Sequence, residues 1–276
     1  MPDAANGVPN QEPGHKSGRT RPPSVVQRLG LVLRLPLGMT LTTLRYMWRV
    51  TALHRTETVG DPAADLPPVL PAEILDDEVK PIADGRGPLF HRTFGVSVCE
   101  ADRDAAGLMA RITDDLDDAA PSEVVSFRKT RGEPGHLVAG DEYRVRMPGP
   151  WDGPVRVVHR DATSFRFVTL GGHLEAGQIE FRAHDTGPGR LRFEIEAWSR
   201  AGDAMARLLY HRVGVGKEIQ LNMWVSFCLS TPKLAGGRRD GGITIDTRRI
   251  DEDSLPAEPP DLPRRSTPAP EAPAAR

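Results

Sequence analysis

Three polar side chains lie where alternation along a strand could turn them toward an enclosed space. His159 follows Val155 and Val157 in PVRVVHR, and strict alternation puts all three residues on one face, which predicts that His159 points inward. His173 and Glu175 alternate in GGHLEAG and, if the chain is extended there, form a His/Glu pair able to transfer a proton. The alternatives are a core histidine bonded to a backbone carbonyl for His159, and an exposed glycine loop for the pair.

Other catalytic and metal-binding patterns are missing from the sequence. It contains no GxGxxG, Walker, HExxH or GxSxG motif, which disfavours nucleotide binding, zinc proteolysis and serine hydrolysis. Cys99 and Cys228 are far apart and have no histidine at zinc-site spacing. The acidic cluster at 114–118 lacks the ligand pattern of an EF-hand loop. We therefore expect no metal, no disulfide and no cofactor.

The candidate residues lie on predicted strands of an antiparallel sheet. Alternating apolar residues in PVRVVHR, SFRFVTL and GQIEFRA, separated by Pro- and Gly-containing turns, predict three central strands. Further strands are predicted in LFHRTFGVSVCE, SEVVSFRKT, DEYRVRM and LRFEIEAW. Asp102 or Asp104 can cap a helix from Ala105 to Leu116, and a long amphipathic helix runs from Asp203 to about Ser230.

Composition divides the chain into one folded domain and several polar segments. Its 26 prolines and 27 glycines concentrate near both ends, and the foldable length is that of a single domain. GGITIDTRRI, near the C-terminal end, could make one edge strand. The predicted organisation is 1–24 disordered, 25–55 basic amphipathic helix, 56–88 acidic Pro-rich linker, 89–235 folded domain and 236–276 disordered tail.

Charge and leader patterns set expectations about partners and location. The net charge of −2 gives no global attraction to nucleic acid, and the N-terminal residues lack a secretory signal pattern, so a cytoplasmic location is expected. Residues 25–55 carry arginines and no acid, but their longest uncharged run is about ten residues, too short to span a membrane. This segment either packs on the domain or lies peripherally on a membrane surface. The membrane-facing candidates are Arg28, Arg34, Arg45, Trp48 and Arg49.

Several segments resemble those of an actinobacterial family known as domain of unknown function nineteen-ninety. They are GPLFHRTFGV, GDEYRVRMPGPWDGPVRVV, TSFRFVTLGGHLEAGQIEF, RFEIEAWSRAGD and GKEIQLNMWVSF. That family is similar to the START and polyketide-cyclase (SRPBCC) superfamily. The resemblance implies an α+β helix-grip fold, in which a curved antiparallel sheet of about six to seven strands surrounds a long C-terminal helix. It implies a cavity but assigns no catalytic residue.

Such a cavity favours a binder or carrier of a small apolar molecule such as a lipid, isoprenoid or polyketide. A cofactor-free cyclase or hydrolase using His159, or His173 with Glu175, is the second hypothesis. A membrane-surface module acting through residues 25–55 is the third. Trp151 either covers the cavity as a lid or anchors a rigid PGPWDGP turn. The expected ligand-binding residues are Tyr143, Trp151, His159, Phe167, Phe193 and Met223.

Overall fold

A computed structural model describes residues 53–120, 125–146, 152–202, 215–258 and 260–263 of the chain. Within these ranges the chain forms nine β-strands and three α-helices. Their bounds, in chain order, are β1 Leu53–Val59, β2 Arg86–Cys99, α1 Ala105–Asp114, α2 Leu116–Ala119, β3 Ser126–Arg131, β4 Glu142–Arg146, β5 Asp152–Arg160, β6 Ser164–Thr169, β7 Glu175–Gly187, β8 Arg190–Ala201, α3 Val215–Leu234 and β9 Arg238–Ile250.

The nine strands form a single sheet in the order β1-β9-β2-β8-β7-β6-β5-β4-β3. Strand β1 pairs in parallel with β9, and all other neighbours are antiparallel. This curved antiparallel sheet with a long helix against it confirms the α+β helix-grip class. All seven strands predicted from alternation are present as β2 to β8, because each has an apolar face that the sheet buries.

One face of the sheet, which we call the inner face, carries the three helices. Asp104 caps α1 as predicted, since its side chain accepts a hydrogen bond from the backbone N–H of Gly107 at 2.8 Å. The long helix α3 continues through Pro232 to Leu234, so it ends later than the sequence predicts. The inner-face residues that pack beneath the helices include Phe94, Val96, Val98, Phe165, Phe167, Phe181, Leu191, Phe193 and Ile195.

Residues 60–85, which we call the covering segment, pack on the outer face of the sheet. Leu70 and Val79 are buried against outward-pointing residues of β5 and β6, and Ile82 is buried against Leu89 and Trp198. The prediction of a linker over residues 56–88 is therefore wrong. Its carboxylates and prolines suggest an extended chain, but the partners that hold it lie far away in sequence and leave no local signal.

The ends of the folded region also differ from the prediction. Arg238–Ile250 is strand β9, inserted between β1 and β2, so a disordered tail from residue 236 is wrong for these residues. Leu53–Arg55 begins strand β1 instead of ending a helix. The rest of the predicted basic helix, and residues 1–24, lie outside the described residues. The strand that GGITIDTRRI could make is present within β9, but it is not at the edge of the sheet, because β1 pairs with its other side.

Candidate ligand-binding site

Aromatic rings fill one end of the inner face. The Phe181 ring centroid lies 4.7 Å from that of Phe165, 5.5 Å from that of Trp224 and 5.3 Å from that of Phe227. Phe193 stacks on Phe227 at 5.8 Å. Four of these phenylalanines are at most 1% exposed. This end is a close-packed core between the central strands and α3.

The other end of the inner face remains partly accessible to solvent. Ile179 of β7 and Ala197 of β8 form a cross-strand pair, and both are partly exposed although their strands lie inside the sheet. The next pair along the same strands, Phe181 and Ile195, is 1% and 0% exposed. The close packing therefore stops between these two pairs.

Small and polar side chains surround the exposed pair. Gly177 pairs with Ser199 beyond it, and a Cβ at Gly177 would lie 1.9 Å from the carbonyl oxygen of Trp198, so only glycine fits there. On the far side of β8, Phe90 pairs with Ser199 and Arg92 pairs with Ala197. We call this part of the inner face the open end, defined by Phe90, Arg92, Gly177, Ile179, Ala197 and Ser199.

Arg92 is a buried cation on this face. Its Cζ lies 4.6 Å from the centroid of the Phe90 ring, and the residue is 8% exposed. Alternation from Phe94 and Val96 could have found it, because residues 90 and 92 share their face. Residues 90 and 92 served only to predict the strand, and the inward charge of Arg92 was not predicted.

His159 points to the outer face, so the prediction of an inward histidine is wrong. Val157 pairs with Phe167, but His159 pairs with the neighbouring Arg166, so β5 holds one extra residue at a bulge. The bulge reverses the alternation on which the prediction depends. The His159 side chain is 41% exposed, and its Nε2 lies 3.1 Å from Asp161 Oδ2.

His173 and Glu175 lie at the same edge of the inner face but form no side-chain relay. The His173 ring sits over Gly153, whose Cβ would approach Nε2 to 2.8 Å. Its Nδ1 lies 3.0 Å from the backbone nitrogen and 3.1 Å from the backbone carbonyl oxygen of Glu175. Burial lowers the pKa of His173 and outweighs the opposing charge of Glu175, which favours a neutral ring.

The other expected ligand residues belong mainly to the filled end. Phe167 and Phe193 are 2% and 0% exposed, and Met223 of α3 is 6% exposed. Tyr143 packs edge-on against Phe167 at 5.9 Å, and burial raises the pKa of its hydroxyl despite the nearby Lys129. These four residues therefore pack in the core and do not line an open cavity. Trp151 lies outside the described residues.

A second buried histidine, missed by the sequence analysis, lies on the outer face. His91 Nδ1 is 2.9 Å from Asp65 Oδ1, and its Nε2 is 2.6 Å from Glu196 Oε1. The ring stacks on Trp198 at 5.1 Å. The covering segment seals this cluster, so its geometry resembles a proton relay but gives a substrate no access.

Among the described residues, no group of three or more His, Cys, Asp or Glu side chains could hold a metal ion. None of the helices in the described part of the chain is long and apolar enough to cross a membrane. The predicted membrane-facing residues of segment 25–55 fall outside that part.

The described part of the chain has a helix-grip fold whose inner face is a close-packed core that is partly exposed at Ile179 and Ala197. A family model described as Domain of unknown function (DUF1990) matches residues 118–225, which run from α2 into α3. The resemblance seen in the sequence is confirmed for these residues. No curated protein matches the chain.

Several solved structures are similar to this chain over about half of its length. Norcoclaurine synthase from Thalictrum flavum, a point mutant in complex with a transition-state analogue, is 11% identical with a TM-score of 0.39, covering 54% of this chain and 97% of its own. Ara h 8.0201 is 12% identical with a TM-score of 0.36, covering 53% and 99%. A hypothetical protein from Helicobacter pylori is 9% identical with a TM-score of 0.39, covering 52% and 86%.

Proposed function

We propose that the protein binds and carries a small, mainly apolar molecule at the open end, between the sheet and α3. The observation that carries this proposal is the partial exposure of Ile179 and Ala197 on interior strands. Apolar positions at the centre of a sheet face are normally covered in a folded domain. A surface left accessible there is suited to an apolar ligand, whose burial removes it from water.

The make-up of the open end favours an apolar body with few polar groups. Ile179, Ala197 and Phe90 supply apolar surface, while Ser199 and Arg92 supply single polar groups on neighbouring strands. A few polar groups in a mainly apolar surface orient a ligand without dominating its binding energy. Lipid-like, isoprenoid-like and polyketide-like molecules have this character.

The cofactor-free enzyme is less well supported by the same residues. His159 is on the wrong face of the sheet and contacts Asp161 near solvent. The Nδ1 of His173 lies 3.0 Å from the backbone nitrogen and 3.1 Å from the backbone carbonyl oxygen of Glu175, so backbone groups occupy it instead of a substrate. Nothing in the described ranges pairs an accessible base with an acid at the open end, so we favour binding without chemistry.

The test is saturable binding of the neutral fluorescent probe N-phenyl-1-naphthylamine by the purified full-length chain. In Ala197→Trp a large ring occupies the open end, and we expect the probe affinity to fall at least tenfold, about 1.4 kcal/mol. Val138→Trp places the same ring at a site 52% exposed in a loop and should bind the probe as the native chain does.

Two results would overturn the proposal. One is a native chain that does not bind the probe, and the other is an Ala197→Trp variant that binds it as tightly as the native chain. Urea unfolding of both variants reports whether the ring at position 197 is accommodated. Native mass spectrometry of protein purified from lipid extract would then reveal the mass of any bound molecule.

A further inference from the structure

The geometry points to Arg92 as an anion anchor, and we propose that the ligand of the open end carries an acidic head group, a carboxylate, on its apolar body. This inference rests on the proposed function, since it assigns one polar contact within the same site. The ligand is then an amphiphilic acid. Its head group lies at β2, and its apolar body lies along Ile179 and Ala197.

Three other buried arginines of the described part, unlike Arg92, have carboxylate partners. Arg156 lies 2.7 Å from a carboxylate oxygen of Glu142, and Arg200 lies 2.5 Å from one of Glu252. Arg166 pairs with Glu180 at 3.4 Å. All three are on the outer face, where protein carboxylates balance their charge.

Arg92 has no such carboxylate among the residues that the structure describes. Its cross-strand neighbours are Ala197 and Thr247, and its Cζ lies over the ring of Phe90. Arg92 is 8% exposed as a whole residue, and the hydration that a cation loses on burial is unfavourable unless an anion compensates it. The fold therefore holds a buried positive charge for which these residues supply no counter-charge.

Among the described residues, two acidic groups share the inner face with Arg92 near the open end, and neither forms an ion pair with it. Glu175 stands two strands across and four residues along the sheet, about 10 Å and about 13 Å in the two directions. Glu57 stands two strands away on β1 and is exposed. The other inner-face cation at this end, Arg249, already pairs with Asp251 at 2.6 Å.

The surroundings of Arg92 suit a carboxylate in particular. The Cζ of Arg92 lies over the Phe90 ring, and the guanidinium N–H groups can donate to two carboxylate oxygens at once. Thr247 and Ser199 place hydroxyl groups on the flanking strands at neighbouring positions of the same face. The apolar pair of Ile179 and Ala197 begins one strand away, where the body of such an acid would lie.

The test compares dodecanoate with dodecan-1-ol as competitors for bound N-phenyl-1-naphthylamine in the full-length chain. The two differ at the head group, so the native chain should bind dodecanoate at least tenfold more tightly. Arg92→Met keeps the length of the side chain but removes its charge and donors, and we expect it to lose at least tenfold in dodecanoate affinity with dodecan-1-ol unchanged within twofold. Arg92→Lys should lose less, because it keeps the charge without the bidentate fork.

Arg249→Met is the matched control, because it removes the neighbouring inner-face arginine whose charge is already balanced. It should bind both competitors as the native chain does. Equal affinity of the native chain for the two competitors, or an Arg92→Met variant with native dodecanoate affinity, would overturn the anchor. In either case a probe that still binds leaves the proposed function standing, whereas a probe that never binds removes both.

Discussion

Asp65 Oδ1 lies 2.9 Å from His91 Nδ1 and joins the covering segment to the outer face of the sheet. Arg248 of β9 contacts the same carboxylate oxygen at 2.7 Å, and Asp65 Oδ2 accepts the backbone N–H of Asp61. One carboxylate thus connects the covering segment with β2 and β9. Glu196 holds the opposite nitrogen of the imidazole, which fixes the ring between two acids.

Asp65→Ala should destabilise the fold by about 3 kcal/mol, because it leaves a buried imidazole and an arginine without their shared acceptor. Urea unfolding measures the change. Asp77→Ala is the control, since Asp77 is an exposed acid of the same segment, and it should change stability by less than about 0.5 kcal/mol. Equal effects of the two substitutions would contradict the role given to Asp65.

The same carboxylate should make stability depend on acid pH. Burial tends to raise the pKa of Asp65, but hydrogen bonds from Arg248, the Asp61 backbone and His91 outweigh it and lower the pKa below 3.8. A lowered pKa in the folded state means that the stabilisation is present above pH 3.8 and is lost as the pH falls through the folded value. Between pH 5 and pH 3 the native chain should therefore lose more stability than Asp65→Ala, and identical losses would refute this assignment.

Asp261 should give the opposite dependence. It is 0% exposed, its Oδ2 accepts the backbone N–H of Ile82 at 2.7 Å, and burial raises the pKa of its carboxyl from 3.8 to about 6. The folded state then binds a proton more readily than the unfolded state, so stability falls as the pH rises from about 4 to about 6. The shift of about two pKa units corresponds to at most about 3 kcal/mol.

Asp261→Asn removes the titrating group, so this decline should disappear from its unfolding free energies measured between pH 4 and pH 7. Asp253→Asn, which changes an exposed acid of the preceding stretch, should keep the decline. If the curves of the native chain and Asp261→Asn run parallel over this range, another group causes the dependence.

The sequence predicts strands better than it predicts what covers them. Alternation located β2 to β8 because each of these strands buries one face. It could not locate the bulge before His159, since a bulge is set by the register against Phe167 and Arg166 on the next strand. The extra residue in β5 moves the His159 side chain from the inner face to the outer face.

The packing of the covering segment and the interior position of β9 were missed for a related reason. Asp76 and Arg156 form an ion pair at 2.8 Å but stand 80 residues apart, so the acids of the segment look unpaired in the sequence. Strand β9 pairs with β2 after a separation of well over a hundred residues. The inward position of Arg92 could have been predicted by extending the alternation of Phe94 and Val96. Which residues lie beside it depends on strand pairing across the sheet, and the sequence does not show this pairing.

The two cysteines should differ in reactivity. Cys228 lies on α3 in the core with 0% exposure, and burial raises the pKa of its thiol to about 12, whereas Cys99 is partly exposed at the end of β2. Native protein should release one equivalent of thionitrobenzoate per chain from Ellman's reagent within minutes. In denaturing urea it should release two equivalents. Cys99→Ser should release none until it unfolds, and rapid reaction of that variant in the native state would show that Cys228 is accessible.

The boundary between the filled and open ends can be located with two substitutions on one face of β7. Phe181→Ala removes a ring that contacts Phe165, Trp224 and Phe227. It should lower the free energy of unfolding by about 4 kcal/mol, because a cavity remains in a rigid core. Ile179→Ala lies two residues earlier, where the side chain is partly exposed, and it should cost about 1 kcal/mol while weakening binding of N-phenyl-1-naphthylamine. Urea unfolding and probe titration of both variants give the comparison. Similar losses of stability at the two positions would mean that close packing continues past Phe181, and the open end would then be part of the core.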